Sequence, residues 1–190
     1  MTRRASQIVL IVATLGASWL GMQAIHELGH MIGAWVSQGS IERVVLHPLT
    51  ISRTDLRHNP HPLLVVWAGP ILGCVIPLLL WGAGCWPKWS HVFLLRFFAG
   101  FCLLANGLYI GIGAFDRVGD CGEMLRHGSP IWMLWIFGAA TAPAGFGLWH
   151  GQGRYFGWGP ESGEVDPRAV RVSVLAAMGL LMMGLLVGGR

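Results

Sequence analysis

The first long apolar segment of the sequence is residues 8–36, IVLIVATLGASWLGMQAIHELGHMIGAWV. A helix of this length reaches ~43 Å at ~1.5 Å per residue, which exceeds the ~30 Å hydrocarbon core of a bilayer. The stretch nevertheless contains His26, Glu27 and His30. Ionisable groups are expensive inside a membrane span, so their presence there predicts a functional site.

These three residues have the spacing of the HExxH motif. His26 and His30 lie four residues apart, so a helix brings both imidazoles to one face, where they can bind the same metal ion. Glu27 lies beside them, where it could accept a proton from a water molecule activated by that metal. A single histidine on an apolar face is usually a hydrogen-bonded core residue, but two histidines and a glutamate within five residues favour a metal site.

The composition is typical of a polytopic membrane protein. Of the 190 residues, 54% are hydrophobic and only 12% are charged, and the mean hydropathy is +0.57. Soluble domains rarely combine these values. The net charge of +4 is spread over the loops without a basic run, which favours contact with lipid head groups over nucleic acid. The four cysteines form no CxxC pair and predict no disulfide framework.

Four further apolar stretches predict membrane spans at residues 62–82, 92–115, 130–150 and 170–187. The polar segment 37–61 contains two short runs, 44–46 and 49–51, that predict a small β-hairpin. We therefore expect an all-α polytopic membrane protein with about five transmembrane helices and a small membrane-associated β-hairpin after the first helix. The whole chain, 1–190, would form one domain with its core at 8–125 and accessory spans at 130–187.

The HExxH motif supplies two metal ligands, and a catalytic zinc usually has three protein ligands plus a water. Asp116 and Asp120 are the best candidates for the third, because they follow a Gly-rich apolar span in the other acidic cluster near the membrane. Either aspartate could instead cap a helix or be a solvated loop charge. His47, His58 and His61 of the polar segment are alternative ligands.

The order of these features resembles the site-2 protease family of intramembrane zinc metalloproteases. HELGH lies on an early span, the hairpin segment follows, and AGPILG at 68–73 is similar to the family's Ala-Gly-Pro signature. Further on, Asn106 and GDCGEML at 119–125 resemble the family's Asn and its Asp-Gly-Gly-x-x-Leu block. The resemblance covers about residues 8–125, and the features in this order are far more specific than HExxH alone.

The resemblance implies a role for each matching residue. His26, His30 and Asp120 would bind one Zn²⁺ per chain, and Glu27 would be the catalytic general base. Asn106 would also be catalytic, by positioning the substrate or by stabilising the charge that develops on it.

The chain departs from the family pattern at two places. Tyr109 stands where the family usually has Pro, three residues after Asn106. The gap between Asn106 and Asp120 is longer than usual, and Cys121 replaces the first Gly after the aspartate. These departures keep Asp116 open as the third ligand.

We therefore expect an intramembrane zinc metallo-endopeptidase that hydrolyses peptide bonds in or near transmembrane segments. Its partners would be a transmembrane protein or peptide substrate, the lipid bilayer of the plasma membrane and a regulatory membrane protein, with no nucleic acid. An extended substrate segment could pair with the edge of the hairpin. The alternative is a non-proteolytic metal-binding or transport protein, although the chain has neither repeated halves nor acidic residues in several spans.

Overall fold

Five long helices dominate the computed structural model, which describes residues 2–48, 52–86, 89–159 and 164–188. These five are long and apolar enough to cross a membrane, and they confirm the predicted multi-pass helical fold. They are α1 (Arg3–Val36), α2 (Pro62–Cys85), α3 (Val92–Asp116), α5 (Ile131–Trp149) and α6 (Pro167–Gly188). A short helix, α4 (Gly119–Arg126), precedes α5, and a 3-10 helix (Gln152–Phe156) follows α5.

Two of the spans begin earlier than their apolar residues indicate, because polar side chains cap them. The hydroxyl of Thr2 accepts a hydrogen bond from the backbone N–H of Ala5, at 3.4 Å, and α1 starts at Arg3. At the start of α6, Asp166 accepts from the N–H of Arg168 at 2.8 Å. Pro167 suits the first helical position, where no backbone N–H is needed.

The predicted hairpin is present, but its strands differ from the predicted ones. Strand β1 (Ser40–Val45) pairs antiparallel with β2 (Arg53–His58), so that Ile41 lies opposite Leu56 and Val44 opposite Thr54. The predicted second strand at 49–51 lies outside the described residues. The sequence of β2, RTDLRH, has only one apolar residue, so hydropathy does not mark it as a strand.

Helices α1 and α2 approach each other through small residues directly at the HExxH segment. A Cβ atom on Gly29 would lie 2.8 Å from the Cα of Gly69, and one on Gly33 would lie 2.7 Å from the Cβ of Ala68. Small residues spaced four apart allow helix backbones to come this close in a membrane. The AGP segment of α2 is thereby placed against the face of α1 that carries the histidines.

Helices α3 and α5 also make a close glycine contact. A Cβ on Gly138 would lie 2.8 Å from both the carbonyl oxygen of Gly107 and the Cα of Gly111. Both neighbouring atoms belong to the backbone, which cannot move aside as a flexible side chain can.

We expect Gly138→Ala to lower the free energy of unfolding by about 1–3 kcal/mol, because the added methyl group pushes α3 and α5 apart. Gly147→Ala is the matched control, since a Cβ at Gly147 meets nothing within 4 Å. Alanine favours the helix over glycine by about 1 kcal/mol, so the control should be neutral or stabilising. Thermal unfolding in detergent measures both variants, and equal melting temperatures would contradict this packing.

Candidate metal centre

His26, His30 and Asp120 meet at one point between α1 and α4. The Nε2 atoms of the two histidines are 3.0 Å apart. The Oδ2 atom of Asp120 lies 2.8 Å from Nε2 of His26 and 3.4 Å from Nε2 of His30. Both histidines are buried, and Asp120 is partly so. This group could hold a metal ion.

The outer nitrogen of each imidazole is committed to a hydrogen bond. Asn106 donates from Nδ2 to the carbonyl of Cys102 at 2.9 Å, so its Oδ1 faces His26 and accepts from Nδ1 at 2.7 Å. His30 donates from Nδ1 to the carbonyl oxygen of Val65 at 2.9 Å. Both partners are acceptors, which places the proton of each neutral imidazole on Nδ1.

These tautomers leave two Nε2 lone pairs and a carboxylate oxygen facing one another in the interior. Such an arrangement is repulsive unless a positive charge, either a proton or a metal ion, lies among the three atoms. A tetrahedral zinc ion with bonds of 2.0–2.1 Å separates its ligand atoms by about 3.4 Å. The three pairs here are 2.8, 3.0 and 3.4 Å apart, so His26 would move outward by a few tenths of an ångström to admit the ion. The donor set and its convergence therefore suit a metal ion.

The ionisation of Asp120 also suits a ligand. Burial favours the neutral carboxyl, but hydrogen bonds from His26 and His30, which the imidazoles donate once Nε2 also carries a proton, outweigh it and hold the pKa of Asp120 below its usual range. The neighbouring thiol behaves in the opposite way. Burial, with a contribution from the charge of Asp120, raises the pKa of Cys121 to about 11. Its thiol donates to the backbone carbonyls of Tyr109 and Ile110 and is not in the ligand group.

Glycines of α2 make room for the site. A Cβ on Gly69 would collide with the imidazole of His30. A Cβ on Gly73 would lie 2.9 Å from Nδ2 and 3.0 Å from Oδ1 of Asn106. The AGPILG segment therefore has a physical function here: its two glycines let one ligand and the residue that orients the other pack against the α2 backbone.

Glu27 lies beside the ligands without joining them. Its side chain is buried, with 3% of the residue exposed, and its carboxylate accepts a hydrogen bond from the hydroxyl of Thr54 at 2.8 Å. Thr54 belongs to β2, so the hairpin contacts the predicted catalytic base directly. The sequence carries no signal for Thr54, because nothing local marks its strand.

The structure brings Asp120, and not Asp116, to the histidines. Asp116 ends α3 as an exposed residue. The alternative ligands proposed from the sequence are His47, His58 and His61. Among the described residues, none of these three belongs to the metal-binding group.

Asn106 is buried beside His26 and is not accessible to a substrate. Only 1% of the residue is exposed, and its described hydrogen bonds go to His26 and Cys102. These contacts fit a residue that orients a metal ligand. A direct action of Asn106 on the substrate stays a prediction.

Comparison of the chain with models of protein families, with curated proteins and with solved structures found no match.

We expect Asp120→Asn to lose bound divalent metal, because the amide that replaces the carboxylate is neutral and binds such ions weakly. Asp116→Asn is the matched control and should keep about one ion per chain, as the wild type does. The metal content of the purified full-length proteins, measured by mass spectrometry, decides between them. Loss of metal from Asp116→Asn alone would show that the ligand assignment is wrong.

Proposed function

We propose that this chain is an intramembrane zinc metallo-endopeptidase that hydrolyses peptide bonds in or near transmembrane segments. The observation that carries the proposal is the convergence of His26, His30 and Asp120 inside the helical bundle, with the carboxylate of Glu27 held beside them. Two imidazoles and one carboxylate match the ligand sets of catalytic zinc sites, which keep a further position for water.

Zinc bound at this group would polarise the scissile carbonyl and lower the pKa of its water toward ~7. Glu27 accepts a proton from the attacking water while the water oxygen bonds to the carbonyl carbon. The protonated Glu27 then returns this proton to the amide nitrogen as the C–N bond breaks. Thr54 holds the carboxylate of Glu27 in place through these steps, because its hydroxyl donates to Oε2.

The position of the site along α1 agrees with a membrane-embedded substrate. His26 lies ten residues before the end of α1 at Val36, which is ~15 Å along the helix axis. The reacting groups therefore lie inside α1 rather than at its end, in the half that leads into the hairpin.

A substrate helix in lipid hides its carbonyls in its own hydrogen bonds, so it must unwind before it can be cleaved. The described sheet has two strands, and each pairs on one side only. An unwound substrate segment that pairs with β2 would recover backbone hydrogen bonds and lie beside Thr54 and Glu27.

The sequence resemblance to site-2 proteases supports the same proposal. The residues that carry it are the ones that meet in space: the two histidines, Asp120, Asn106 behind His26, and the two glycines of the AGPILG segment. We also propose the plasma membrane as the location of this multi-pass chain.

We expect Glu27→Gln to keep bound zinc and to lower the cleavage rate at least about 100-fold, since general-base catalysis typically contributes 10²–10⁴-fold. A panel of tagged transmembrane peptides in detergent, with zinc content measured in parallel, provides the assay. Glu123→Gln is the control, because Glu123 pairs with Arg126 on the surface of α4.

Two results would contradict the proposal. Wild-type cleavage by Glu27→Gln would remove Glu27 from the mechanism. Zinc bound by the wild-type protein without cleavage of any peptide would favour a non-proteolytic metal-binding or transport protein.

We expect Thr54→Val to lower kcat about tenfold while zinc stays bound, because the base loses the hydrogen bond that orients it; bonds to charged groups are worth about 1.5–3 kcal/mol. Thr54→Ser keeps the hydroxyl and should retain most of the activity. Steady-state cleavage kinetics compare the two variants, and an equal kcat for Val and Ser would contradict this role of Thr54.

A further inference from the structure

Helix α4, which carries Asp120, begins without a cap of its own. Val118 occupies the N-cap position, and it makes no side-chain hydrogen bond. The first backbone N–H groups of a helix have no partner within the helix, so each needs an acceptor from elsewhere. The hydroxyl of Tyr109, on α3, accepts from the backbone N–H of Asp120 at 3.1 Å.

The local backbone is adapted to this contact. Gly119 has φ +57°, a conformation that glycine adopts readily, and a Cβ at this position would collide with the Tyr109 hydroxyl. On the other side of Asp120, the thiol of Cys121 donates to the carbonyls of Tyr109 at 3.4 Å and Ile110 at 3.6 Å. The start of α4 is thus folded back onto α3 around Tyr109.

Tyr109 also contacts a second metal-ligand candidate. Its ring packs edge-on against the imidazole of His26, with the ring centroids 6.0 Å apart and the planes at 70°. Three residues earlier on α3, Asn106 holds the other side of the same imidazole through Nδ1. One face of α3 therefore supports ligands from both α1 and α4.

We propose that Tyr109 is a positioning residue of the metal centre, whose hydroxyl fixes Asp120 against the two histidines. The inference rests on the proposed zinc site and extends it to a residue that no ligand motif contains. It also explains the long spacing between Asn106 and Asp120: α3 continues past Tyr109 to Asp116, and the chain must reverse before Asp120 can return to the tyrosine.

The test is the zinc affinity of purified full-length Tyr109→Phe, measured in detergent by competition with a chelator of known affinity. Residues that orient metal ligands typically contribute 10–100-fold to metal affinity, and we expect a loss in this range. Tyr155→Phe is the matched control, because Tyr155 is the only other tyrosine of the chain and stacks on Phe93 away from the site. It should bind zinc as the wild type does.

Cobalt provides the readout that separates positioning from mere stability. The visible spectrum of the Co²⁺-loaded protein reports the ligand geometry, and we expect Tyr109→Phe to change this spectrum while Tyr155→Phe leaves it as in the wild type. Wild-type zinc affinity in Tyr109→Phe would overturn the inference. So would weaker binding with an unchanged cobalt spectrum and a lower melting temperature of the metal-free protein, which indicates a structural role only.

A second pair of variants tests the same contact from the other side. Gly119→Ala adds a methyl group that displaces the Tyr109 hydroxyl, whereas Gly128→Ala introduces a similar backbone strain at φ +97° where nothing lies within 4 Å. We expect only Gly119→Ala to weaken zinc binding, and equal affinities for the two variants would contradict the inference. Because affinity is the readout, absence of peptidase activity in the wild type would refute the proposed function without deciding this test.

Discussion

Two imidazole lone pairs and a carboxylate oxygen face one another in the interior of a membrane bundle, and this arrangement requires a positive charge at its centre. Two neighbouring acceptors impose this arrangement: the Asn106 side-chain oxygen binds the Nδ1 proton of His26, and the Val65 carbonyl binds that of His30. With those protons fixed, both Nε2 atoms are available as ligands. Glu27, held by Thr54 from the hairpin, lies next to the place where a bound ion would act.

The rest of the fold brings these groups together by close backbone packing. Glycines on α1 and α2 bring the two helices into contact at the HExxH segment, and Gly69 and Gly73 leave space for His30 and Asn106. On the opposite side, Gly119 lets Tyr109 hold the start of α4 and with it Asp120. At Gly69, Gly73 and Gly119, a side chain would occupy the place of a functional group.

Hydropathy predicts the five spans, and the HExxH spacing predicts that His26 and His30 lie together as candidate metal ligands. Both patterns can be read from short segments of the sequence. Short segments of the sequence do not show which of Asp116 and Asp120 lies beside the histidines. The choice depends on the reversal after α3, where Arg117 adopts a left-handed conformation, and on the return of α4 to Tyr109. Thr54 was missed for a similar reason, since β2 is held by its pairing with β1 rather than by apolar residues of its own.

X-ray absorption at the zinc edge shows whether His26, His30 and Asp120 bind the metal, using purified protein loaded with one equivalent of zinc. We expect a first shell of nitrogen and oxygen atoms at about 2.0–2.1 Å, with outer-shell scattering from two imidazoles and no sulfur. A zinc–sulfur distance of about 2.3 Å, or scattering from a number of imidazoles other than two, would show that zinc binds elsewhere and would contradict the account.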